Sequence, residues 1–298
     1  MIVDGVFAGG GVKAFAFVGA LQVMEERGYQ FDRLGGTSAG AIVAALIKVG
    51  YTSAEIFRLL DELDIESFKD ERMSVVPFTI AKWIHMYYRL GLYKGNALEE
   101  WLKKVLEAKG VKTFGDLPHG SLRIIASDLS KGKLLVLPDD LEQYGVIPDR
   151  FPVARAIRMS CSIPFFFEPV KIYDRGSGGK ASYVVDGGLL SNFPLWLFMD
   201  GKMKRWKRPV IGFQLKPELS QMPPKKIKNA VTLYRALFET MSSAHDIKYV
   251  DTDDAKNVVF IPVLDVKATD FELSEEQKEN LIVLGKEETT HFLKNWSY

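Results

Sequence analysis

The chain is predicted to be an α/β protein built on a parallel sheet, and three observations carry that prediction. Residues 2–8 form a short, apolar, β-branched run that ends in three glycines, which reads as a buried strand entering a tight loop. Residues 14–27 place Phe15, Val18, Leu21, Val23 and Met24 at near-helical spacing, with Gly28 as a stop, so a helix is expected there. Residues 34–36 form a second short strand, followed by a small, apolar helix over 39–49 and by Gly50. The order strand, loop, helix, strand, turn, helix is that of a parallel sheet covered by helices.

The remaining elements follow from period and punctuation. Residues 53–63 and 95–108 are predicted amphipathic helices. Residues 122–128 and 133–137 are predicted strands, and 153–160 a helix. A strand over 183–185 delivers Asp186. Strands are expected at 209–215 and 258–263, and helices at 231–241 and 274–293. The stretches 175–180 and 216–228 are rich in Gly, Pro and charge and read as loops. No repeat, low-complexity tract or linker divides the chain, so residues 1–298 are expected to form one domain.

Composition narrows the function classes. A formal net charge of +1 favours neither nucleic acid nor acidic partners, and no nucleic-acid partner is expected. Cys161 is the only cysteine, which excludes an intrachain disulfide framework. The N-terminus, Met1-Ile2-Val3-Asp4-Gly5, has no basic region, so no signal peptide is read there. No apolar run approaches the roughly 20 residues that span a bilayer. A cytoplasmic location is expected, with membrane contact from the surface only.

Chemistry is concentrated in three glycine motifs. Gly36-Thr37-Ser38-Ala39-Gly40 is a G-x-S-x-G sequence between a strand and a helix. A serine hydroxyl is a weak nucleophile and needs a base and an exposed position. In this motif it sits on a sharp turn that the flanking glycines permit. The helix that follows aims N–H groups, Ala39 among them, at developing negative charge. The alternative is that Ser38 merely caps that helix.

Gly9-Gly10-Gly11 follows a strand and precedes a helix. Successive glycines can turn their N–H groups into a cradle for an oxyanion. Gly9, Gly11 and Ala14 also fit a dinucleotide-binding fingerprint with Asp32 downstream. Against that reading, residues 27–31 make no convincing second strand, and Ser38 and Asp186 would have no role. A Walker phosphate loop fails because no Gly-Lys-Ser/Thr follows.

Asp186-Gly187-Gly188 lies at a strand end, where an aspartate can enter a crevice. His85, His119, His245 and His291 are the only histidines, and none has a recognisable catalytic context. The order Ser…Asp…His could be completed by His245 or His291, but Ser38 comes early for an α/β-hydrolase. A direct Ser38–Asp186 pair is the better reading. An aspartate with an ordinary pKa near 3.9 is a poor base, so the pair requires a desolvated site.

Together these residues resemble the patatin-like phospholipase family. Gly9-Gly10-Gly11-Val12-Lys13 is similar to the family's glycine-rich oxyanion motif, with Ala14 in place of the usual final glycine. Gly36-Thr37-Ser38-Ala39-Gly40 matches the family's elbow, and Asp186-Gly187-Gly188 its D-G-[G/A] motif. Residues 159–169 resemble the block between them, with Cys161 in a small-residue slot, and Ser191-Asn192-Phe193-Pro194 resembles the N-x-P that follows. The resemblance implies a three-layer α/β/α fold, a Ser-Asp dyad needing no metal or cofactor, and hydrolysis of acyl lipids. It gives Ser38 the role of nucleophile and Asp186 that of base. Gly9, Gly10, Gly11 and Ala39 would form the oxyanion hole, supported by Lys13, Gly36, Gly40, Gly187 and Gly188. A reading from another class is a catalytically silent member that binds lipid or a partner.

Residues 79–93 mix aromatics with Lys82 and Arg89. Trp83, Tyr87 and Tyr88 are expected to line or cover an acyl pocket, the alternative being a helix packed in the core or on a partner. Two cationic clusters, Lys202, Lys204, Arg205, Lys207 and Arg208, then Lys225, Lys226 and Lys228, would attract anionic lipid or simply be solvated.

Overall fold

The computed structural model describes residues 1–62, 88–174, 178–200, 205–215, 227–228, 233, 236–238, 240–241, 255–263, 266 and 273–297. The first half holds β1 (Ile2–Phe7), α1 (Phe15–Glu26), β2 (Gln30–Thr37), α2 (Ala39–Lys48), α3 (Ser53–Asp61), β3 (Gly91–Tyr93), α4 (Asn96–Ala108), β4 (Leu122–Asp128) and β5 (Lys133–Leu137). The second half holds α5 (Val153–Ser160), β6 (Phe165–Phe167), β7 (Val170–Asp174), β8 (Lys180–Asp186), β9 (Met199–Asp200), β10 (Arg205–Trp206), β11 (Val210–Gln214), β12 (Val258–Phe260) and α6 (Glu275–Asn295).

The main sheet runs β12-β11-β1-β2-β4-β8-β7, with β5 on the other edge of β4. The five strands from β12 to β4 are parallel, and β5, β8 and β7 are antiparallel additions. The result is a mixed α/β fold with a mostly parallel central sheet and helices on both sides, as expected. Alternation along the strands splits the core in two. Val3 and Phe7 of β1, Ile124 and Ala126 of β4, and Ile211 and Phe213 of β11 join the helices in the larger core. Val6, Ile125 and Val210 face the smaller core, closed by Phe193, Leu195, Leu197 and Phe198. A short helical turn, Leu195–Phe198, lies in that second layer.

One feature of the register positions the site. Along a single edge of β4, Gly36 and Thr37 of β2 stand opposite Ile124 and Ile125. The next residue, Ala126, stands opposite Asp186 of β8. Residues 124–128 of β4 meet β5 on the other edge. So β2 and β8 share one edge of β4 and run toward each other, and their C-terminal ends meet. Whatever follows Thr37 must lie beside Asp186.

Helix α6 crosses α1 at a pair of glycines. A Cβ on Gly19 would overlap the Ile282 carbonyl, and one on Gly285 the Ala16 carbonyl. Backbone meets backbone there. Both α3 and α6 start with capping boxes, Thr52 with Glu55 and Ser274 with Gln277.

Several expectations need correction. Strand β2 starts at Gln30, within the stretch read as no strand, because β1 pairs with it through a bulge. One residue of β1, Asp4, faces both Asp32 and Arg33, and that extra residue hides the alternation. Asp32 is therefore in a strand, but near its start, whereas the glycine loop follows the end of β1. Its carboxylate bonds Arg208, and the dinucleotide reading fails on position. Residues 91–93, read as part of an aromatic helical run, are strand β3, paired with β6. Strand β7 was not expected. Arg208 is not a free cation: it pairs with Asp4 as well as with Asp32. Lys202, Lys204, Lys225 and Lys226 lie outside the described residues, as do His85 and His245.

Candidate active site

Ser38 follows β2 at φ +53° and ψ −125° and opens α2. Few side chains tolerate that left-handed backbone. The turn is tight because a Cβ on Gly36 would stand 2.5 Å from the Gly40 backbone, and one on Gly40 2.5 Å from the Ala8 carbonyl oxygen. Although Ser38 occupies the N-cap position, its side chain accepts no capping hydrogen bond. Its hydroxyl donates instead to Oδ2 of Asp186 at 2.7 Å. The N–H of Ser38 donates to the Ser160 hydroxyl at 2.8 Å, and Ser160 donates in turn to the Ile125 carbonyl. The elbow is thus tied to the strand residue opposite Thr37.

Asp186 is 2% exposed. Its second oxygen accepts from the Gly188 N–H at 2.7 Å. Burial pushes its pKa up to about 7, against the opposing pull of the Ser38 and Gly188 hydrogen bonds. Gly187 is demanded by packing, since its Cβ would overlap the Ile125 carbonyl.

The glycine loop lies against the same elbow. A Cβ on Gly9 would stand 3.4 Å from the Cβ of Ser38 and would overlap the Asn192 amide oxygen. Gly9 gives its N–H to the Asn192 carbonyl at 2.9 Å, and the Asn192 amide returns a bond to the Gly9 carbonyl. The N–H of Gly9 is therefore occupied, contrary to the role expected for it. The N–H groups of Gly10, Gly11 and Ala39 have no acceptor among the described residues. Gly11 has φ +57°. The Lys13 ammonium bonds the Val263 carbonyl at 2.9 Å and so holds the loop from behind.

Residues 5–199, more than half the chain and inclusive of all three motifs, match the patatin-like phospholipase family model. The chain belongs to that family. Among similar proteins, YqhO of Bacillus subtilis is 54% identical over the whole of both chains. A cUMP-AMP-activated phospholipase of Escherichia coli is 30% identical over 197 residues, 62% of this chain and about half (54%) of that protein. The crystal structure of VipD from Legionella pneumophila superposes with a TM-score of 0.58 at 18% identity, covering 99% of this chain and 67% of that one, a likeness of fold.

In this family member a cavity of about 120 Å³ opens at Ser38. Its described walls, including Val12, Phe15, Ile42, Leu98, Phe166 and Phe167, carry no charged side chain. Cys161 also lines it. Burial, reinforced by nearby Asp186, pushes its thiol well above the ordinary range. It is a small apolar wall residue rather than a thiolate. Tyr88, expected at the acyl pocket, is 75% exposed and is absent from the described walls. Trp83 and Tyr87 lie outside the described residues.

Two residues escaped the sequence reading of the site. Ser160 was only part of a motif block, with nothing to mark its hydroxyl as the acceptor for Ser38. Arg158 is fully buried and donates to the carbonyls of Lys94, Gly95 and Glu168 and to the Ser162 hydroxyl. Its guanidinium also lies 4.9 Å from the Phe167 ring centre. It fastens residues 94–95 and 168 to Ser162, whose carbonyl accepts the Asp186 N–H. An arginine on an amphipathic helix gives no sign of this in sequence. His119 and His291 are both exposed, away from the Ser38–Asp186 pair.

Proposed function

We propose that the chain is a lipid acyl hydrolase in which Ser38 is the nucleophile and Asp186 the general base. The observation that carries this is the Ser38 hydroxyl. It stands on a left-handed elbow and spends its hydrogen bond on a buried carboxylate instead of on the helix it begins. In the forward step Ser38 Oγ attacks the ester carbonyl and Asp186 Oδ2 takes its proton. The oxyanion accepts from the N–H groups of Gly10, Gly11 and Ala39. Each such donor is worth roughly 10²–10³ in rate. The proton on Asp186 passes to the departing alcohol, leaving an acyl-Ser38. Asp186 then takes a proton from water, whose oxygen attacks the acyl carbon; the acyl–Oγ bond breaks, Asp186 returns the proton to Ser38 Oγ, and the fatty acid leaves.

The apolar cavity suits the acyl chain, and its uncharged walls keep a polar head group outside. We therefore favour phospholipase A or lysophospholipase substrates over esters with charged acyl parts. The test is labelling by a fluorophosphonate probe, read by peptide mass spectrometry, with Ser38→Ala as control. Labelling at Ser38 alone is expected. A folded protein that resists the probe would overturn the reading in favour of a silent lipid-binding member.

A further inference from the structure

Residues 233, 236–238 and 240–241 are helical, and Thr240 returns its hydroxyl to the Ala236 carbonyl one turn back, at 2.7 Å. This helical segment has two unlike faces. On the inner face Ala236 is buried, and the Phe238 ring comes within 3.7 Å of where a Cβ on Gly188 would stand. Gly188 is the residue whose N–H holds Asp186. On the outer face Leu233, Leu237 and Met241 are 47%, 54% and 48% exposed. Their spacing of four aligns them on one side of a helix. Ile227, also exposed, precedes them.

Single exposed apolar residues are ordinary, but a row of large ones on one helix face marks a contact surface. Two facts identify what covers it. Lys225, Lys226, Lys228 and Arg235 accompany the row in sequence against one acidic residue, Glu239, between 220 and 241. Cations beside leucines suit the boundary of an anionic bilayer, where ammonium groups meet phosphates and alkyl groups enter the acyl layer. A second copy of this chain would set those cations against their own kind. The inner face, moreover, touches the turn that holds Asp186, so a lipid surface on the outer face stands beside the reacting groups.

We propose that this helical segment docks the protein on an anionic lipid surface through Leu233, Leu237 and Met241, with the neighbouring lysines on the lipid phosphates. The proposal rests on the acyl-hydrolase reading, because the docked surface is then the one that holds the substrate. It is tested with Leu237→Cys carrying an environment-sensitive dye. Cys161, the only native cysteine, is buried and leaves the new thiol to the label. Phosphatidylcholine vesicles containing phosphatidylglycerol should raise and blue-shift the emission, and salt should reverse the change. The triple variant Leu233→Ser, Leu237→Ser, Met241→Ser should partition onto the same vesicles about tenfold less or worse. Its hydrolysis of a water-soluble short-chain ester should stay within about twofold of the parent. An unresponsive dye, or unchanged partition of the triple variant, would overturn the proposal. So would a parent dimer that the triple variant turns into a monomer, which would assign the row to a second copy. Vesicle binding by a parent that cleaves no soluble ester would instead strike the hydrolase reading and leave the docking in place.

Discussion

The proposed mechanism makes Asp186 a base, and burial gives it the means. With its pKa near 7, the carboxylate is a far better proton acceptor than an ordinary aspartate. The value kcat/KM should rise with pH and level off above a midpoint near 7, measured on a soluble ester. The same shift bears on stability. The folded pKa lies above the unfolded one, so the folded state binds the extra proton between about pH 4 and pH 7. Stability from this group is full below that window and is lost as pH rises through 7. Asp186→Asn should abolish turnover yet raise the melting temperature at pH 8, with little gain at pH 5. An equal gain at both values would show that the carboxylate is not strained by burial. Ser160→Ala leaves the Ser38 N–H without its acceptor and should cost about 1–3 kcal/mol. It should lower kcat more than it raises KM, because the elbow, not the acyl cavity, is loosened.

At the scale of elements, the crossing of α1 and α6 is the most exacting contact. Gly285→Ala would drive a methyl into the Ala16 carbonyl and should cost about 2 kcal/mol or more in denaturant unfolding. Gly28→Ala meets nothing within 4 Å but sits at φ +70°, so it should cost only about 1 kcal/mol. Strand and helix periods made β4, β5 and α5 legible to the residue. They failed at β2, where the bulge opposite Asp4 breaks the alternation in Gln30-Phe31-Asp32-Arg33. They failed again at β3 and β6, three-residue strands that exist only by pairing with each other. The glycine motifs announced which residues meet at the site. Nothing local could announce how. The meeting of Thr37 and Asp186 on neighbouring positions of β4 is a property of register between distant segments. The occupied N–H of Gly9 is likewise set by Asn192, far along the chain.

For the whole molecule, we propose that residues 1–298 fold as one domain. The sheet threads β1 between β2 and β11, and α6 packs on α1, so neither end closes its core alone. Unfolding followed by fluorescence and by fluorophosphonate labelling of Ser38 should give one coincident transition. Two separated transitions would refute the single unit. The glycine loop depends on late residues at three points. Its strand end bonds Phe213, Gly9 bonds Asn192, and Lys13 bonds Val263. A ribosome makes this loop well before Asn192, Phe213 and Val263, which anchor it. Until those three residues have emerged, the nascent chain has Ser38 but lacks the contacts that hold the glycine loop beside it. On the proposed reading, catalysis waits on the order in which the strands are born, because the cradle for the oxyanion sets only after its anchors arrive.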